Sequence, residues 1–247
     1  MIPIEVVRKL EHGVTSASTM ILKVFCGLAC LLTHGAKRWS DAQRLRELFI
    51  TEDAVVVCSW KSKKKKRQIK WSAMRQGFES VDWAKNFLEA LALCDLPGED
   101  YLLLALRTDL MGFTKTPARW GDAERGIHAA LIDVGLDVDE AISFSMHSFK
   151  HLYPTAARQL GMDEPLIDVM CGWAAKSSSG MPAVYDSVSA SAELVHKAYV
   201  CKNVQAGWHT AEEGRLPEQP KVAGSSSGSV PTDVQESPSK KKSGAEL

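Results

Sequence analysis

The sequence carries no long apolar run. The longest, residues 24–32, reaches back to Met20 only across Lys23 and stops short of the ~18 residues that a membrane-spanning helix needs. No basic-then-apolar leader opens the chain, because Glu5, Arg8 and Glu11 interrupt its start. Cysteine is sparse. Cys26, Cys30, Cys58, Cys94, Cys171 and Cys201 form no C-x-x-C, and no histidine cluster stands beside Cys26 and Cys30. That pattern argues against a zinc or disulfide framework and fits reduced thiols in a cytosolic or nuclear protein. Net charge is lacking as well, with 30 Lys and Arg against 30 Asp and Glu. At 45% apolar and 24% charged residues the chain is neither wholly disordered nor collagen-like. No carboxylate cluster has the spacing of a metal-dependent nuclease, which disfavours that chemistry.

What is present is a strong local field. Residues 37–75 hold 12 Lys and Arg against four acids, so this stretch is +8 and the remainder of the chain −8. A basic block in a neutral protein is the footprint of a polyanion site. Its centre is K-S-K-K-K-K-R-Q-I-K, residues 61–70. Such a run is also an ordinary solvated loop or a nuclear-import signal, but its flanks are informative. Residues 54–60 are rich in β-branched side chains and read as a strand, and residues 68–71 alternate as a shorter partner. The lysines Lys61, Lys63, Lys64, Lys65 and Lys66, with Arg67, would then sit on a hairpin turn and project toward whatever the sheet faces.

The rest of the pattern is mostly helical. Residues 15–33, capped by Thr15 or Ser16, are apolar on nearly every face and predict a buried helix. Ser40 and Asp41 can cap a short helix over 42–48, and Ser80 one over 81–93. Residues 95–118 read as irregular. Helices are expected over 118–134, 148–160 (ended by Gly161), 165–172 and 187–200. From residue 214 onward, 15 of 34 residues are Gly, Pro or Ser and none is aromatic, the composition of a disordered tail. The expected organisation is a short lead-in over 1–14, one domain over 15–205, and a tail over 206–247. The expected fold class is mainly α with a small antiparallel β-sheet.

Four segments stand out together: T-H-G-A-K-R-W-S-D (33–41), the hairpin, H-S-F-K-H (147–151) and C-G-W-A-A-K-S-S-S-G-M-P-A-V-Y-D (171–186). In this order they resemble the catalytic domain of the tyrosine recombinases, the phage-integrase family. Arg38 follows an apolar helix, as the family's first arginine does. Lys61 lies on a hairpin strand. His147 and Lys150 occupy the family's H-x-x-R positions. Trp173 follows a glycine, and Tyr185 comes 12 residues later. The stretch H-S-F-K-H-L-Y-P-T-A-A-R-Q-L-G is similar to the family's H-x-L-R-H-T-x-A-T-x-L-x-x-x-G. The likeness spans about residues 15–200, and its R-W-S-D and G-W forms look most like recombinases of eukaryotic mobile elements.

The resemblance implies phosphoryl transfer to a tyrosine. Cations aimed at the phosphodiester oxygens stabilise the transition state more than the ground state. Arg38 would do so with a planar fork, and His147 would bond an oxygen or help take the tyrosine proton. Lys61 would protonate the leaving 5′-oxygen, Trp173 would hold the phosphate through its indole N–H, and Tyr185 would be the nucleophile. The covalent link conserves bond energy, so no cofactor, ATP or metal is implied. The implied partner is double-stranded DNA, with no membrane. The family works as synaptic tetramers whose C-terminal helix often docks on a neighbour. Here residues 187–200, with Leu194, Val195 and Ala198 as the apolar face, either do that or pack on their own domain. The implied location is nuclear for a eukaryotic source, and the cytoplasm or nucleoid otherwise.

Two departures bear on activity. Lys150 stands where the family carries arginine, and a lysine lacks the bidentate fork. The likeness also begins close to Met1, where the family's members carry an N-terminal helical clamp. This leaves open a fragment, a decayed mobile-element copy or a domesticated protein. Three functions therefore compete: a strand-exchange enzyme, a DNA-binding remnant that no longer cleaves, and a type IB topoisomerase-like nickase.

Overall fold

The computed structural model describes residues 1–60, 68–173 and 188–211. Helix α1 (Ile4–Ser16) turns Ile4, Val6, Val7, Leu10 and Val14 into the core. It packs along α2 (Met20–Gly35), whose first turn is capped by Thr19: the Leu22 N–H donates to its hydroxyl at 3.2 Å. From Val24 to Gly35 every residue of α2 is buried, as expected of a helix apolar all round. Gly27 lets it approach α4 closely, since a Cβ there would strike the Phe87 ring. Residues 1–14 are therefore part of the domain core rather than a lead-in. Their apolar spacing at 4, 7, 10 and 14 is helical.

Helix α3 (Trp39–Gln43) leads into strand β1 (Leu45–Ile50), which pairs antiparallel with β2 (Ala54–Trp60), which in turn pairs with β3 (Gln68–Met74). The expected helix over 42–48 is thus mostly strand. Leu, Arg and Glu favour helix locally, but the tight turn at Thr51, whose N–H donates to the Ala54 carbonyl at 2.8 Å, folds the segment onto β2. The hairpin read from the sequence is present as β2–β3, with Val57 opposite Trp71 and Trp60 opposite Gln68.

Helix α4 (Trp83–Leu93) is capped by Asp82, which accepts from the Lys85 N–H, and not by Ser80, which sits at φ +60° in the preceding turn. The stretch expected to be irregular contains a small second sheet, β4 (Leu104–Leu106) against β5 (Phe113–Pro117). Gln43 ties it to α3: its amide donates to the carbonyls of Leu103 and Ala118 and accepts the Leu103 N–H, all within 3.0 Å. There follow α5 (Trp120–Asp133), α6 (Val138–Ser143), α7 (Met146–Lys150), α8 (Leu152–Gln159), α9 (Glu164–Cys171) and α10 (Val188–Gln205).

The fold class is the expected one, mainly α with a small antiparallel sheet. A buried polar network centred on His34 sits in its core. His34 bonds Tyr153 at 2.8 Å through Nδ1 and Glu11 at 2.9 Å through Nε2, while Glu11 also accepts the Phe78 N–H. This joins α1, α2, α8 and the turn before α4 with every partner satisfied, the condition under which buried polar groups are tolerated. The first residues assigned to the tail also pack on the body. Trp208 lies against the core, and the Ala211 N–H donates to Gln159. No helix among the described residues is long and apolar enough to cross a membrane.

Candidate functional site

Arg38 stands at the start of α3 because R-W-S-D makes a helix entry. Its backbone N–H donates to the Asp41 carboxylate at 3.3 Å. The two neighbours of Arg38 turn inward, Lys37 and Trp39 both being buried, so the Arg38 side chain is left exposed. No carboxylate among the described residues pairs with its guanidinium.

Lys150 closes α7 and is buried to 8% exposure. Its ammonium lies 5.8 Å from the centre of the Trp173 ring, within cation–π range. Burial lowers the Lys150 pKa from its ordinary value, and the positive charge of Arg38 lowers it further. That second cause places the two cations in one field, though they lie 112 residues apart in the chain. Trp173 is held by a left-handed turn at Gly172 (φ +64°) and donates its backbone N–H to the Asp168 carbonyl at 2.9 Å. Lys150 and Trp173 therefore meet from separate stretches, and the charge of Arg38 acts on Lys150 from a third.

His147 lies one turn before Lys150 on α7 and is exposed. Trp120 meets its ring edge-to-face, with centroids 5.1 Å apart and planes at 88°. His151, just past Lys150, has a pKa lowered first by burial and then by the charges of Lys150 and His147. The polar groups named here are thus mostly cations or potential cations, with Lys150 against the Trp173 indole. Such an arrangement can hold an anion and stabilise charge that develops on it.

Lys61, Lys63, Lys64, Lys65, Lys66, Arg67 and Tyr185 lie outside the described residues. The strands leading to the basic run carry further cations on aromatic faces: Arg46 is 5.1 Å from the Trp60 ring and Lys70 5.8 Å from Phe49. Among the described residues no three His, Cys, Asp or Glu side chains come together as a metal site.

Sequence reasoning missed Trp120, although the signal was there. R-W-G-D at 119–122 repeats R-W-S-D at 38–41, and both make the same helix entry, Arg119 N–H donating to Asp122 at 3.0 Å. It also missed Lys37, Glu193 and Lys197, three charged side chains buried at the back of the cluster. The expected apolar face of the last helix is corrected as well. Helix α10 packs on its own domain, against β3 and α9, and buries Glu193, Lys197, Val200, Cys201 and Val204, while Val195 stays 67% exposed and Leu194 and Ala198 are half-buried.

No protein-family profile matches the chain, and neither does any curated protein sequence. Among solved structures, XerH site-specific recombinase bound to a palindromic difH substrate in a post-cleavage complex is similar at TM-score 0.48 and 12% identity, over 82% of this chain and 50% of that one. An FLP recombinase–Holliday junction complex and an Flpe–Holliday junction complex are similar at TM-score 0.44, with 15% and 13% identity, each over 71% of this chain and 44% of theirs. The chain spans half or less of the length of these solved structures.

Proposed function

We propose that this chain cleaves and rejoins DNA strands through a 3′-phosphotyrosyl intermediate. The Tyr185 oxygen attacks phosphorus, a new P–O bond forms, and the bond to the 5′-oxygen breaks. The tyrosine proton leaves toward His147, and Lys61 returns a proton to the departing 5′-oxygen. Arg38 and Lys150 bear on the nonbridging oxygens, and the Trp173 indole N–H donates to one of them. Lys63, Lys64, Lys65, Lys66 and Arg67 grip the neighbouring phosphates. No ATP or metal takes part. The observation that supports this reading is the Lys150 ammonium against the Trp173 ring, two residues the motif order singles out, with the charge of Arg38 acting on Lys150. An origin in a eukaryotic mobile element, a nuclear location and assembly into a homotetramer on DNA belong to the same proposal.

A second reading is a DNA-binding protein without cleavage. It is favoured by Lys150 itself, whose single ammonium is buried against the Trp173 ring where a bidentate fork would serve the phosphate better. A covalent-adduct assay on a pool of nicked duplexes separates the two, using wild type, Tyr185→Phe and Lys150→Arg. An adduct in wild type that vanishes in Tyr185→Phe supports cleavage. An adduct in Lys150→Arg alone means a site silenced by one substitution. Duplex binding with no adduct in any variant moves the conclusion to the second reading.

A further inference from the structure

The cationic cluster rests on a buried charge network that the reaction scheme does not use. Lys37, the residue before Arg38, donates from its ammonium to the Cys171 carbonyl at 2.9 Å and to Glu193 Oε1 at 2.9 Å. The other carboxylate oxygen, Glu193 Oε2, accepts from Lys197 at 3.0 Å and from the Ser72 N–H at 3.5 Å. Lys197 also donates to the Ser72 carbonyl at 2.5 Å, and the Ser72 hydroxyl donates to the Ala190 carbonyl at 2.8 Å. None of the three charged side chains is more than 8% exposed, and each is held by partners within the protein.

The connectivity of this network is specific. One carboxylate on α10 holds the residue next to Arg38, and through Lys37 it holds the carbonyl next to Gly172, which in turn precedes Trp173. A Cβ at Gly172 would strike both the Lys37 ammonium and Glu193 Oε1, so the turn that aims Trp173 is closed around the network itself. Two buried cations on one carboxylate are a poor device for stability alone. Apolar side chains of similar volume commonly do as well, because desolvating charges offsets their attraction. What a buried hydrogen-bonded charge does supply is a fixed geometry.

We propose that Glu193 is a positioning residue, through which the docking of α10 on β3 and α9 sets the placement of Arg38 relative to Trp173. The proposal rests on the reading of the cluster as a phosphate site. It makes α10 a working part of that site: the cluster is assembled only while α10 is seated on its own domain.

The test uses the full chain in three forms: wild type, Glu193→Gln, and an apolar triple variant, Lys37→Met with Glu193→Leu and Lys197→Met. Glu193→Gln leaves two buried ammonium groups without a counter-charge, so it can fail to fold. The triple variant keeps the volume and leaves no charge unpaired. Two quantities are read below the melting temperature: the indole N–H resonance of Trp173, assigned with Trp173→Phe, and affinity for a labelled DNA duplex. The expected result for the folded triple variant is a shifted Trp173 resonance and an affinity lowered on the order of tenfold, since small misplacements of binding groups cost that much or more. A folded triple variant with the wild-type resonance and wild-type affinity overturns the proposal. The resonance needs no DNA, so it decides the coupling even where wild type fails to bind duplex, an outcome that counts against the functional reading alone.

Discussion

The ammonium of Lys150 faces the ring of Trp173 at 5.8 Å, and the positive charge of Arg38 acts on it. This contact pairs the cation found where a recombinase would carry arginine with the indole that would share its phosphate. Two consequences follow for the proposed anion site. The charge at position 150 is lost more easily than that of an ordinary lysine, and it is delivered as a point rather than a fork.

Phosphate affinity should therefore decline with rising pH earlier than for an ordinary lysine site. The lowered Lys150 pKa means that its charge disappears at a pH below the usual 10.5. In Lys150→Arg the guanidinium stays charged, so the alkaline loss should flatten and neutral-pH affinity for duplex DNA should rise several-fold. Anisotropy titrations from pH 7 to pH 10 at fixed salt check this. Parallel curves for the two proteins would contradict it.

Trp120 should matter to His147 and little to the fold. It is 37% exposed, and edge-to-face pairs are worth about 0.5–1.5 kcal/mol. Trp120→Ala should release the imidazole and lower adduct yield about two- to tenfold, the same energy expressed as a rate. The melting temperature should move by only a few degrees. A large drop in melting temperature with unchanged yield would mean that the pair is only structural.

Lys197 should make stability depend on pH in an unusual direction. Burial, the largest cause, lowers its pKa to about 8 against 10.5 for a free lysine, despite the opposing pull of Glu193. The groups around it are Glu193 on its own helix, Lys37 at the end of α2, and Cys171 on α9, whose thiol burial holds up at about 11. Between about pH 8 and 10.5 the unfolded chain binds the proton more tightly than the folded one, so this group adds stability as pH rises through that window. The wild-type unfolding free energy minus that of Lys197→Met should therefore climb from pH 8 to pH 10.5. A flat difference would show that Lys197 titrates normally.

The buried thiols act in the opposite sense, which is why the lysine test needs a difference. Burial pushes Cys26 and Cys201 up to about 12 and Cys30 well above its ordinary value. Their contribution is fully present below the free-thiol pKa near 9 and is lost as pH rises toward the folded values. Urea midpoints in reducing buffer should thus fall above pH 9. At neutral pH a thiol reagent should modify the half-buried Cys58 and Cys94 first, with the other four reacting only on unfolding. Fast labelling of Cys26 or Cys30 would show that α2 opens in the native state.

Much of this was legible along the chain, and the reasons are local. The β2–β3 hairpin could be read because β-branched residues flank a basic turn. Helices α2, α4, α5 and α9 could be read from apolar spacing, although the caps of α2 and α4 are Thr19 and Asp82 rather than the residues expected. Motif order singles out Arg38, His147, Lys150 and Trp173 as candidates, and the structure brings Lys150 and Trp173 together. Strand β1 could not, because Leu45, Arg46, Glu47 and Leu48 favour helix and only pairing with β2 makes them strand. Nor could the inward face of α10, where E-L-V-H-K looks like a solvated i,i+4 pair.

The sequence by itself determined the fold class, the hairpin and the residue types available to the proposed phosphate site, because periodicity, turn chemistry and charge runs are written in consecutive residues. Only the tertiary structure decided that Lys37 turns in while Arg38 turns out, that Lys150 lies against Trp173, and that Glu193 and Lys197 are buried on their own domain. The first and last of those outcomes depend on which desolvated charges find partners 100 or more residues away, and no local pattern encodes that.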